Sequence, residues 1–157
     1  QYIQHSKAID YLGSEQTPDQ YLSQQIDVYP MIDYLNKNLP EDQGYVYLLY
    51  TGNNFYYHDK KVIAEGADSG RQLAAWLKAS NNIDYLYEEL ATRGIGFLLM
   101  HNHKIEAKFN QFLDADQRAL WNAFSTKYLE PVHSIPPYSL WRIVDPPTST
   151  SSISRVA

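Results

Sequence analysis

The sequence contains no cysteine. That excludes disulfides, thiolate catalysis and cysteine-ligated zinc, while leaving the compartment open. It has no run of about 18 apolar residues, so the residues present offer no membrane-spanning helix. Basic residues are in deficit: 13 Lys and Arg face 18 Asp and Glu, for a formal net charge of -5. Neutralising phosphates needs a basic face, so no nucleic-acid partner is expected. The loop Gly66 to Gly70 lacks the Lys-Ser or Lys-Thr of a nucleotide-binding loop, and no Gly-x-Gly-x-x-Gly occurs. No Gly-x-Ser-x-Gly elbow supports Ser-His-Asp hydrolysis. No cofactor is expected from these patterns. A chain that opens on Gln1 with no leader segment reads as trimmed from a longer polypeptide.

What is present is an ordinary globular composition: 157 residues, 44% of them hydrophobic, enough for one domain with a sizeable core. Tyrosine is abundant, at 14 residues. Amphipathic packing with the hydroxyl at the surface accounts for most of them. A carbohydrate-facing or membrane-interface surface is the sharper alternative. The chain is organised around Gly44 to Gly52, where Tyr45 to Tyr50 form an unbroken apolar and aromatic run between glycines. Such a run fits a strand covered on both faces. Gly96 to Met100 is a second run of the same kind, expected to lie parallel to the first because helices intervene.

Around these two runs the helix signals are local. Thr17-Pro18-Asp19-Gln20 reads as a capping box with proline in the first turn. A break is expected before Pro30, followed by a helix over residues 30–38 with Met31, Tyr34, Leu35 and Leu39 as its apolar stripe. Asp68 or Ser69 is a candidate cap for a helix burying Leu73, Ala74, Trp76 and Leu77. Asn81 or Asn82 caps the next, and Gly94 suits its left-handed C-terminus. Asp114 starts a last helix with Leu120, Trp121, Phe124 and Tyr128 on its inner side. Lys61 to Ala64, Leu129 to Ile135 and Tyr138 to Val144 read as short strands. The pattern predicts an α/β fold: a layered sandwich whose central mixed sheet of four to five strands is flanked by helices. Residues 1–144 form the single domain, and 145–157 a Pro/Ser/Thr-rich tail without a core role.

Candidate chemistry collects at strand ends. His101-Asn102-His103 follows the second apolar run, where ligands of parallel sheets gather. On an extended segment the two histidines would face one side, but a shared metal needs further ligands, and Glu106 has no convincing spacing. No metal site is expected. A polar strand end bonded to the next loop is the simpler account. Asn53-Asn54 ends the first run. With His101 and His103 it outlines a small polar, sugar-sized cleft, though a plain turn explains it equally.

Tyr11-Leu12-Gly13, Gln20-Tyr21-Leu22, Tyr29-Pro30, Asp33-Tyr34-Leu35-Asn36 and Asn38-Leu39-Pro40 form a recognisable series. Leu90, Gly94-Ile95, Phe97 to Met100, Leu129 to Val132 and Leu140 to Val144 continue it. From Tyr11 to Val144 the chain resembles the soluble region after the last membrane helix of bacterial integral-membrane glycosyltransferases. These are relatives of the dolichyl-phosphate-mannose protein mannosyltransferases and aminoarabinose transferases. The resemblance implies a C-terminal domain on the extracytoplasmic, periplasmic face of the inner membrane. Its partner would be the transmembrane part of the same polypeptide, with a glycan or polyprenyl-phosphate-linked sugar nearby. That family's catalytic carboxylate lies between early membrane spans, so the resemblance places no catalytic residue here and implies that the piece is inactive alone. Two other expectations stand beside it: a free-standing module for a small polar ligand such as a sugar, and a small metal enzyme using His101 and His103.

Overall fold

A computed structural model describes residues 16–52, 55–64 and 70–145. The chain runs through two helices, α1 (Pro18–Gln25) and α2 (Tyr29–Asn38), before the first strand, β1 (Tyr45–Leu49). A 3-10 turn (Phe55–Tyr57) leads to β2 (Val62–Ala64), then α3 (Arg71–Ala79) and α4 (Ile83–Thr92). After β3 (Ile95–His101) come α5 (Asn102–Phe112), α6 (Ala115–Tyr128), β4 (Leu129–Ile135) and β5 (Tyr138–Ile143).

The sheet is open and mixed, in the order β2-β1-β3-β5-β4. β1 runs parallel to β2 and to β3, whereas β5 is antiparallel to both β3 and β4. Alternation along the two central strands sends side chains into two separate cores. Val46, Leu48, Phe97 and Leu99 meet Val28, Met31, Ile32 and Leu35 of the α2 layer. Tyr47, Leu49, Leu98 and Met100 meet the layer built by α3 to α6. This double burial is why neither run alternates in polarity. Each fully buried aliphatic side chain contributes about 1.5–3 kcal/mol relative to exposure, so the two strands and the helices that cover them share the apolar stabilisation.

The edges of the sheet are blunted. β2 has only three residues, and β4 carries Pro131 beside a register shift between Pro131 and His133. Short length, proline and a bulge all discourage pairing with another chain.

Local capping follows the sequence. Thr17 and Gln20 exchange both bonds of a capping box, as do Asp114 and Gln117. Asn82 caps α4 by accepting from the Tyr85 amide at 2.8 Å. Gly94 takes φ 68 at the end of α4.

Three expectations change. The second helix starts at Tyr29, one residue before Pro30; proline sits in the first turn, where its missing N–H costs no helix bond. The cap of α3 is Gly70, which supplies no side-chain bond; Asp68 and Ser69 lie outside the described residues. The segment after β3 is not an extended loop but the helix α5. Its stripe, Ile105, Phe109 and Phe112, is thin among Asn, Lys and Gln, and its cap is a histidine. No helix among the described residues is long and apolar enough to cross a membrane.

Candidate functional site

The carboxyl ends of β1 and β3 lie side by side, with Leu49 opposite Met100. β3 ends at His101, and α5 begins at the next residue. His101 is 9% exposed and serves as the N-cap of α5. Its Nδ1 accepts from the Lys104 amide at 3.4 Å, which assigns the ring proton to Nε2 when the imidazole is neutral. Burial, and then the Lys104 charge, hold its pKa below the ordinary histidine value. Tyr138 packs edge-on against the ring at 5.0 Å.

His103 lies in the first turn of α5 and is exposed. The two imidazole centroids are 6.4 Å apart with planes at 65°. The same-side arrangement expected of an extended segment is therefore replaced by a strand-to-helix corner. Among the described residues no group of three His, Cys, Asp or Glu side chains is placed to hold a metal ion. Asn53 and Asn54 lie outside the described residues.

Around this corner the polar groups are spent on one another. Ser139 donates to Asn102 Oδ1 at 2.5 Å, and the Trp141 indole N–H donates to Ser139 Oγ at 2.8 Å. The Asn102 amide donates to the Pro137 carbonyl at 2.9 Å. Burial, followed by a hydrogen bond to the Asp27 carboxylate, raises the Tyr138 phenol above its usual range. The arrangement fixes the β3–α5 corner to the β4–β5 hairpin, and bond-making chemistry has no evident actor among these groups.

A concave surface lies elsewhere. A cleft of about 470 Å³ opens between α5 and α6. Ile105, Glu106, Phe109 and Asn110 come from α5; Arg118, Trp121 and Asn122 come from α6. Helical spacing puts each set on one face. Phe109 and Trp121 meet edge to face at 5.3 Å between the two helices. Sequence reasoning placed Trp121 on the inner side of α6 but missed the cleft, because it did not recognise α5. The signal that reveals it is the pairing of Ile105 with Phe109 and Glu106 with Asn110, each one turn apart.

A second aromatic surface surrounds the 3-10 turn. Tyr56 is 82% exposed. The turn is pinned to α2 because Asn36 donates to the Tyr57 carbonyl at 2.9 Å and accepts from the Asp59 amide at 3.0 Å. Tyr29 donates to Asp19 at 2.8 Å; burial and that carboxylate push its pKa up to about 12.

With this geometry established, a solved structure supplies a likeness. The chain shares the fold of the C-terminal globular domain of an oligosaccharyltransferase from Archaeoglobus fulgidus, with a TM-score of 0.50. The match covers 83% of this chain and 100% of that one, at 12% sequence identity. At that identity the likeness speaks for the fold alone. No family model matches the chain, and no curated protein matches it.

Proposed function

We propose that this chain is a non-catalytic, extracytoplasmic domain of a membrane glycosyltransferase that draws its sugar from a polyprenyl-phosphate carrier. In this reading it follows the last membrane span, on the periplasmic side of the inner membrane. It caps the catalytic cavity or holds the acceptor, and its partner is the transmembrane part of its own polypeptide.

The observation that carries the reading is its whole-domain fold likeness to the C-terminal globular domain of an oligosaccharyltransferase. The motif series over residues 11–144 points the same way by an independent route; Tyr11, Leu12 and Gly13 of that series lie outside the described residues. The strand-end corner fits as well, since His101, Asn102 and Ser139 bond internally and present no activated nucleophile or paired carboxylates.

The test compares two proteins in one transfer assay with a polyprenyl-phosphate-linked sugar. The polypeptide encoded by the full reading frame, including the sequence upstream of Gln1, is expected to turn over, and the 157-residue chain is expected to be silent. Turnover by the chain alone overturns the reading. So does an upstream frame that encodes no apolar segments of about 20 residues.

A further inference from the structure

We infer that the cleft between α5 and α6 is a carbohydrate-binding site that takes one or two neutral pyranose rings. The inference rests on the cleft itself and goes beyond the transferase reading, since a sugar can bind here whether or not the parent transfers one.

The walls have two characters. The floor is apolar: Ile105 and Phe109 are buried, and the half-buried Trp121 indole closes it. The rim is polar, with a carboxylate at Glu106, a guanidinium at Arg118 and amides at Asn110 and Asn122. A pyranose has the matching pair of surfaces. Its C–H face packs on aromatic and aliphatic carbon, while its hydroxyls both donate and accept. Glu106 accepts from hydroxyls, Arg118 donates to them, and the two amides do both.

Other ligand classes fit less well. Glu106 and Arg118 cancel in charge, which favours a neutral ligand over a phosphate. A lipid chain would leave the polar rim desolvated without partners. The cleft's volume of about 470 Å³ lies inside the range of about 300–1,000 Å³ typical of small-molecule sites.

The rim is partly pre-organised. The Arg118 guanidinium donates to the Leu113 carbonyl at 2.6 Å, which fixes the side chain before a ligand arrives. The edge-to-face contact with Phe109 at 5.3 Å and the stacking of Phe124 at 5.7 Å hold the Trp121 ring. A ligand that meets fixed groups loses less freedom on binding.

The experiment titrates the 157-residue chain with mannotriose, maltotriose and N,N′-diacetylchitobiose. It follows tryptophan fluorescence, amide chemical shifts and heat. The expected result is saturable binding of at least one sugar, with shifts confined to residues 105–122. Trp121→Ala is expected to weaken binding about tenfold or more. That variant also removes packing, so Glu106→Gln at an exposed position is the second. It is expected to weaken binding while leaving the melting temperature unchanged. Silence with all three sugars up to about 10 mM overturns the inference. Binding that both variants leave intact, or shifts centred on His101 and His103, overturns it equally. Transfer by the parent polypeptide is a separate readout, so failure here leaves the transferase reading to its own test.

Discussion

His58 shows how one side chain can set a pH response. Its ring is half-buried just after the 3-10 turn, and its Nδ1 is buried with no hydrogen-bond partner among the described residues. Burial lowers its pKa from 6.5 to about 4, against a smaller opposing pull from Asp59. In the unfolded chain the imidazole takes up its proton near 6.5, whereas the folded chain resists until about 4. The neutral ring's contribution is therefore whole above 6.5 and is lost as pH falls through 4. Urea melts of the wild type across this window should show falling stability. His58→Gln should flatten that slope, and an unchanged slope would show that the histidine is not the titrating group.

Gly96 is a second residue on which much turns. A Cβ there would lie 2.2 Å from the Gln43 carbonyl oxygen, a backbone atom that cannot swing aside. Facing it, Gly44 adopts φ 95, and the register between β1 and β3 slips between Tyr45 and Val46 so that Gly96 is the unpaired residue. Gly96→Ala should cost about 1–3 kcal/mol by forcing the strands apart, read as a lower urea midpoint. A midpoint equal to that of the wild type would mean that the strands do not approach so closely. The glycines around both apolar runs were visible in the sequence. That two of them pack against each other was not, because only the parallel pairing brings them together.

At the scale of elements, α4 and α6 are tied by a small charged cluster. Lys127 Nζ sits 2.9 Å from Asp84, the Tyr128 hydroxyl also donates to Asp84, and Tyr87 stacks on Tyr128 at 4.7 Å. Tyr87 in turn donates to Asp145 at 2.5 Å, so the first residue of the expected tail is engaged with α4. The hydrogen bond from Lys127, and then that from Tyr128, hold the Asp84 carboxyl below its usual 3.8. A depressed carboxylate contributes stability that is present above the unfolded pKa and lost as pH falls through the folded one. Asp84→Asn should therefore lower the melting temperature modestly at neutral pH, and the gap should close in strong acid. A gap that persists in acid would assign the effect to packing.

The elements were unevenly legible. The capping boxes at Thr17 and Asp114 and the Asn82 cap follow local chemistry that a sequence displays directly. Helix α5 was hidden because His101 caps it in place of Ser, Thr, Asp or Asn. Its apolar residues are also spaced among Lys, Asn and Gln. Losing α5 also hid the cleft, since a groove needs both walls. Spacing within α6 marks Trp121 and Asn122 as neighbours, but nothing along the chain says which helix lies across from them. Conversely, His101 and His103 drew attention by type, and the fold uses His101 as a cap.

For the whole molecule, the two apolar runs explain the layered architecture. Both central strands need cover on each face, α2 supplies one layer, and α3 to α6 supply the other. The result is the open, mixed five-stranded sheet that the alternation of elements predicts. Its surface carries a sugar-sized cleft on the α5–α6 side and exposed tyrosines at the 3-10 turn.

The most direct test of the proposed transferase reading asks what is lost when this domain is removed from the polypeptide that the reading assigns it to. Sugar transfer from a polyprenyl-phosphate donor is measured for the complete polypeptide and for one truncated before the domain, with membrane insertion of both verified. The account predicts that truncation lowers kcat/KM for the acceptor at least about tenfold, equivalent to about 1.4 kcal/mol. A truncated enzyme that transfers at the full rate would contradict it.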